Sequence, residues 1–318
     1  MRGYRRKRNA APGMIMLCVI LPLAVTLAVF AWASGTDVQD PVSSANSEIA
    51  EASAPVPSEN PGTAGSSDPA SGTDPVLPVG SATESAPMPE FPPYSFGAYL
   101  EESEPVADDS YFSSAVFLGD SRTEGLQLFS GLASGDFFWK RGMTVFRVDS
   151  REWTFEINGE KLTMIEALGR KQYDSVYIMI GVNELGYPVS SYERGLGVFL
   201  DKVIAAQPDA VIYLQTLPPV NDRAARDNQL GSYINNGNLN AFNEVIIRMA
   251  AEKRVVLLNT AEVYRGEDGQ LPADMTSDGC HFKPGSYSLW ADYLRCHIMD
   301  PARYHNCRET PDPSGSVG

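Results

Sequence analysis

Four short stretches hold the residue types that acyl transfer needs. Ala115 to Leu126 reads AVFLGDSRTEGL: an apolar run, then Gly119-Asp120-Ser121, then a polar segment compatible with a helix. This order predicts a buried strand, a sharp turn opened by glycine, and a helix starting just after it. Ser121 would then sit at the hinge, its hydroxyl at the carboxyl edge of a sheet and helix N-terminal amides beside it, where developing negative charge is favoured. Serine is also a common helix cap, and on this stretch alone that role competes with nucleophile. Asp278 and His281 lie on a loop, and the chain has only three histidines. In isolation such a histidine is more often a surface residue than a base; beside a nucleophile, His281 becomes the base and Asp278 the group that orients it. The developing oxyanion needs fixed donors, and the Ser121 amide, the Gly142 amide and the Asn183 side chain are the candidates.

These residues can converge only if the intervening elements carry them to one edge. After the first strand and a helix near 123–129, residues 136–148 read as a second strand with Gly142 at a turn. Residues 153–162 alternate around Asn158-Gly159, a dipeptide that favours a two-residue hairpin turn. Thr163 to Glu166 forms a capping box that opens a helix. Ser175 to Ile180 (SVYIMI) is continuously apolar, as expected for a strand covered on both faces. It ends in Gly181-Val182-Asn183-Glu184-Leu185-Gly186. A helix near 191–206, a strand at 210–215, a polar loop over 218–237, a helix over 238–253, a short strand at 255–258 and a last helix near 286–295 complete the pattern. Strand and helix alternate, which predicts an α/β fold: a three-layer α/β/α sandwich with a mainly parallel sheet. Ligands of such sheets gather outside the carboxyl ends of the strands, where Ser121, Asn183 and the 278–281 loop are expected.

The chain has 318 residues and a formal net charge of −15, unevenly spread. Ser34 to Ser110 holds fourteen Asp and Glu and no Lys or Arg, while Met1 to Gly13 holds five Arg and Lys. The remainder is only mildly acidic, and no basic patch argues for nucleic acid. Residues 14–33 are uncharged and mostly apolar behind Arg5-Arg6-Lys7-Arg8, long enough for a transmembrane anchor with a cytoplasmic N-terminus and an exported remainder. A cleaved signal peptide ending at Ala31-Trp32-Ala33 is the alternative. The expected organisation is a basic tail (1–13), the anchor or signal (14–33), a disordered Pro/Ser/Ala/Glu-rich linker (34–93), a segment docking loosely on the domain edge (94–110), the domain (111–299) and a tail (300–318). Cys296 and Cys307 could pair, tying the tail to the last helix and leaving Cys280 free.

The GDS of 119–121, the glycine at 142, the G-x-N of 181–183 and the D-x-x-H of 278–281 together resemble the ordered blocks of the SGNH hydrolase superfamily, the GDSL-type esterases, over roughly 116–294. The resemblance implies the same flavodoxin-like layered fold, serine ester hydrolysis without metal or organic cofactor, and the roles given above. Two positions depart from it. Arg122 stands where the name-giving pattern has leucine, and Glu184 stands where aspartate is common. With Asp120, these are taken as residues facing substrate, Arg122 favouring an anionic or polar one and Glu184 also serving loop structure. An exported, tethered domain points to acyl groups, acetyl above all, on envelope or extracellular carbohydrate, and the polar 218–237 loop suits sugars better than lipid. An O-acyltransferase using the same site and a non-catalytic wall-binding domain are the competing readings.

Overall fold

A computed structural model describes residues 93–103 and 108–310. The expected linker and the 14–33 segment fall outside them. Among the described residues no helix is long and apolar enough to cross a membrane.

Five strands form one parallel sheet: β1 (Ala115–Gly119), β2 (Asp136–Trp139), β5 (Ser175–Met179), β6 (Val211–Gln215) and β7 (Val256–Leu258), in the order β2-β1-β5-β6-β7. Every residue of β1, β5, β6 and β7 is buried, because helices cover both faces. The chain leaves β1 toward β2 on one side and returns to β5 on the other. The order therefore reverses at β1, and the crevice at the carboxyl ends of β1 and β5 is the topological switch point.

One row of rings crosses the sheet. Phe117 is in register with Phe137 and Tyr177, and Tyr177 with Tyr213. Their centroids lie 4.6, 5.0 and 4.4 Å apart, with interplanar angles of 14°, 15° and 3°. In-register aromatic pairs on a pleated face add to the stabilisation from burial alone.

The helices are α1 (Ser121–Phe129), α2 (Met164–Leu168), α3 (Val189–Ala206), α4 (Asp222–Asp227), α5 (Asn236–Lys253), α6 (Thr260–Val263), α7 (Tyr287–Cys296) and α8 (Pro301–Glu309). The Asn158-Gly159 turn joins β3 (Phe155–Ile157) to β4 (Glu160–Leu162), with φ of 52° and 82° at the two central residues. At α2 the Thr163 hydroxyl accepts from the Glu166 amide and the Glu166 carboxylate accepts from the Thr163 amide, closing the capping box.

Four expectations need correction. The second strand stops at Trp139, because Lys140, Arg141 and Gly142 turn the chain away from the sheet. Half of the supposed 218–237 surface loop is structural: Pro218 to Val220 are buried, and Asn221 caps α4 by accepting from the Ala224 amide at 2.9 Å. The tail after 300 is helical as far as Glu309, because Asp300 accepts from the Arg303 amide at 2.8 Å and Pro301 fits the first helical position. Cys296 and Cys307 are free thiols; Cys307 is buried and its Sγ accepts from the Tyr94 amide at 3.3 Å.

Residues 94–100 lie along β7. The Tyr94 hydroxyl accepts from the Leu257 amide at 3.0 Å, and the Leu100 amide donates to the Leu257 carbonyl at 2.9 Å. Tyr94 and Leu100 are buried, so this stretch seals an edge that would otherwise stay open.

Candidate active site

Gly119 ends β1 so tightly against its neighbours that a Cβ there would overlap the Thr123 hydroxyl and the Met179 carbonyl. Asp120 then caps α1, its carboxylate accepting from the Arg122 amide at 2.9 Å. Ser121 is the first residue of α1, in the turn whose amides lack helical acceptors.

Ser121 Oγ lies 2.8 Å from His281 Nε2, and His281 Nδ1 lies 2.7 Å from Asp278 Oδ2. The other Asp278 oxygen accepts from the Cys280 and His281 amides, each at 2.8 Å. Burial alone would raise the Asp278 pKa; the bonds from the His281 side chain and from the two amides outweigh it and hold the carboxyl well below the usual carboxylate range. Hydroxyl, imidazole and carboxylate therefore form one series. The His281 side chain is 46% exposed, so the series is open to solvent.

The loop carrying His281 is fixed by residues that the sequence reading passed over. Thr276 Oγ1 donates to the His281 carbonyl at 2.6 Å and accepts from the Gly279 amide at 2.9 Å. Gly279 has φ of +92°, its carbonyl accepts from the Asn221 amide at 2.8 Å, and a Cβ there would overlap the backbone of Ala225. A threonine five residues before a candidate base was the available signal, and only its hydroxyl geometry gives it meaning.

Arg122 joins the two halves of the site from beneath. Its side chain is fully buried, with Nε and Nη2 donating to the Cys280 carbonyl at 3.2 and 3.0 Å and Nη1 donating to the Pro218 carbonyl at 2.9 Å. The guanidinium also lies 5.2 Å from the Phe282 ring centroid. Arg122 thus binds protein, not substrate, which corrects the expectation. Asp120 (1% exposed) and Glu184 (0%) are likewise turned inward. Burial raises the pKa of both carboxyls, to about 8 for Glu184, although each accepts a backbone amide, from Arg122 and Val145 respectively. Glu184 Oε1 accepts from Val145 at 2.7 Å, and its Oε2 has no hydrogen-bond partner.

Asn183 sits in the turn after β5, and its Nδ2 donates to the Met143 carbonyl at 3.0 Å and to Asp120 Oδ2 at 3.3 Å. It thereby links the nucleophile turn to the loop after β2. Gly142, with φ of +75°, is one residue before that carbonyl; its neighbour Arg141 grips Glu124 of α1 with a two-pronged ion pair at 2.6 and 2.8 Å. The structure brings Ser121, His281 and Asp278 into direct contact and joins Asn183 to them through Asp120. Gly142 reaches this group only at one remove, through Met143.

A serine in series with an imidazole and a carboxylate, at the carboxyl edge of a parallel sheet, is the equipment of a serine hydrolase. Residues 117–289 match the GDSL-like lipase/acylhydrolase family, and the chain belongs to it. It is accordingly a serine ester hydrolase of the SGNH type. Among solved structures it is similar to a GDSL-like lipase from Bacteroides thetaiotaomicron (15% identity, TM-score 0.44, covering 60% of this chain and 89% of that one). An acetyl xylan esterase, AlAXEase, is similar to the same degree (14% identity, TM-score 0.43, covering 57% and 96%). No curated protein matches the chain in sequence.

Proposed function

We propose that the protein is an extracytoplasmic esterase that removes short acyl groups, acetyl first, from envelope or extracellular carbohydrate, with Ser121, His281 and Asp278 as its catalytic residues. The observation that carries the proposal is the series itself: Oγ to Nε2 at 2.8 Å and Nδ1 to carboxylate at 2.7 Å. Ser121 Oγ attacks the ester carbonyl carbon while its proton passes to His281 Nε2, and Asp278 stabilises the imidazolium that forms. The tetrahedral adduct collapses, the C–O bond to the sugar breaks, and His281 returns the proton to the leaving alcohol. Water then attacks the acyl-serine along the same path and frees the carboxylic acid.

The oxyanion is met by the Ser121 amide at the positive end of α1, with the Gly142 amide as the expected second backbone donor. For Asn183, the hydrogen now on Asp120 is the available one, because that bond is long at 3.3 Å. What supports carbohydrate over lipid is the polar rim beside the histidine loop, where Asn228 donates to the Ser277 carbonyl at 3.3 Å and the short helix reads DRAARD. What supports export is the apolar 14–33 run behind a basic cluster.

The test is hydrolysis of p-nitrophenyl acetate and octanoate by the full-length chain and by Ser121→Ala. The wild type should prefer acetate, and the variant should lose activity by a factor of about 10³ or more, as expected when a nucleophile is removed. A preference for octanoate overturns the short-acyl reading, and an unaffected variant overturns the nucleophile. Acetate release from O-acetylated polysaccharides then tests the substrate class.

A further inference from the structure

A groove of about 550 Å³ runs between α3 and residues 145–149, well within the range of sites that hold small molecules. Its mouth is aromatic: Phe146 (45% exposed) and Tyr187 (51%) lie with ring centroids 5.4 Å apart, tilted by 40°, and Val198 is exposed beside them. Its charge is positive in a chain that is strongly acidic overall. Lys202 is paired with Asp149, while Arg194 has no carboxylate partner among the described residues and only touches Ser191 Oγ at 3.3 Å. One unneutralised guanidinium therefore stands beside two open aromatic faces.

One end of the groove is built on the turn after β5 that also carries Asn183. Val145 in its wall donates to Glu184 Oε1, and the Tyr187 amide donates to the Glu184 carbonyl at 2.7 Å. Glu184 adjoins Asn183, which reaches Asp120 beside the nucleophile.

We propose that this groove is a subsite for a carboxylate-bearing sugar ring of the glycan whose ester is presented to Ser121, an inference that rests on the esterase reading above. The weakly positive C–H face of a pyranose stacks on the negative faces of Phe146 and Tyr187. A ring carboxylate takes the planar, two-pronged donor set of Arg194, which lysine cannot reproduce. The Ser191 hydroxyl and the Asp149 carboxylate are placed to bond ring hydroxyls. A fatty carboxylate answers the guanidinium but brings no hydroxyls for Ser191 and Asp149, and a neutral sugar leaves the guanidinium unanswered.

Calorimetric titration of the full-length chain with trigalacturonate, xylotriose, a muramic-acid disaccharide and decanoate tests the subsite without any ester turnover. At least one acidic sugar should bind ten or more times more tightly than xylotriose, with affinity falling as salt rises. Galacturonate carries its carboxylate on C6 of the ring and muramic acid on a lactyl ether at O3, and whichever sugar binds more tightly names the source. Arg194→Ala and Tyr187→Ala should each weaken that binding about tenfold, while Arg170→Ala, which removes a surface cation on the β3–β4 side, should leave it unchanged. Equal affinity for acidic and neutral trimers, full affinity in Arg194→Ala, or tighter binding of decanoate than of either sugar overturns the proposal. Because none of these ligands is hydrolysed, failure here leaves the nucleophile test untouched, and failure there leaves this one readable.

Discussion

A guanidinium with no solvent contact must find acceptors for its donors, and Arg122 finds them in carbonyls 96 and 158 residues away. Arg122→Ala would leave the Cys280 and Pro218 carbonyls without these donors and open a cavity under the histidine loop. We expect a loss of about 2–4 kcal/mol by denaturant titration, from unsatisfied buried groups and lost packing together. Turnover should fall with it, and Arg122→Lys should not rescue either quantity, since an ammonium cannot span both carbonyls. Glu184 yields a pH prediction. Its folded pKa is raised to about 8 from an ordinary 4.5. The folded state therefore holds a proton that the unfolded chain gives up, so its contribution is fully present below about pH 4.5 and is lost as pH rises through 8. Glu184→Gln, a neutral mimic of the protonated acid, should flatten that decline. The stability gap between wild type and variant, measured at pH 5 and pH 8, should shift by a few kcal/mol in favour of the variant. Asp278 has the opposite sign: its depressed pKa gives stability that is present above the ordinary carboxylate value and lost as pH falls through the folded one.

At the scale of elements, the site is two loops braced against helices. Gly279→Ala puts a side chain at a positive φ and into the backbone of α4, so the 276–282 loop must lift. The expected cost is about 2 kcal/mol or more, seen as a lowered Tm, with kcat for p-nitrophenyl acetate falling as His281 leaves Ser121. Asp300→Ala removes the cap of α8 and should cost about 1 kcal/mol in the same melt, with kcat unaltered. Elements with strong local signals were legible in advance: the apolar runs of β1, β5 and β6, the Asn-Gly hairpin and the Thr163 capping box all act within a few residues. The cap at Asp300-Pro301 was equally local and was overlooked, because a polar, low-hydropathy helix near a terminus has no apolar stripe to announce it. The inward turn of Asp120, Arg122 and Glu184 could not be read at all. Their partners are fixed by tertiary contacts, and a charged residue beside a nucleophile looks the same in sequence whether it faces substrate or core.

Across the whole molecule, the switch point between β1 and β5 explains why residues more than 150 positions apart meet: β1 delivers Ser121, β5 delivers Asn183, and the histidine loop crosses to them from beside α4. Residues 94–100 along β7 and α8 behind them close the far side of the sheet, with Cys307 packed against Tyr94. Alkylation and mass mapping without reductant should therefore find both Cys296 and Cys307 modified once the chain is unfolded, a pattern that a 296–307 bridge would abolish. The row formed by Phe137, Phe117, Tyr177 and Tyr213 has an optical consequence. Two near-parallel phenol chromophores 4.4 Å apart, held rigidly with two phenyl rings alongside, should couple their transitions and give a strong near-ultraviolet circular dichroism signal. Tyr213→Leu should reduce that signal, read as a difference spectrum against the wild type, while the far-ultraviolet spectrum stays in place.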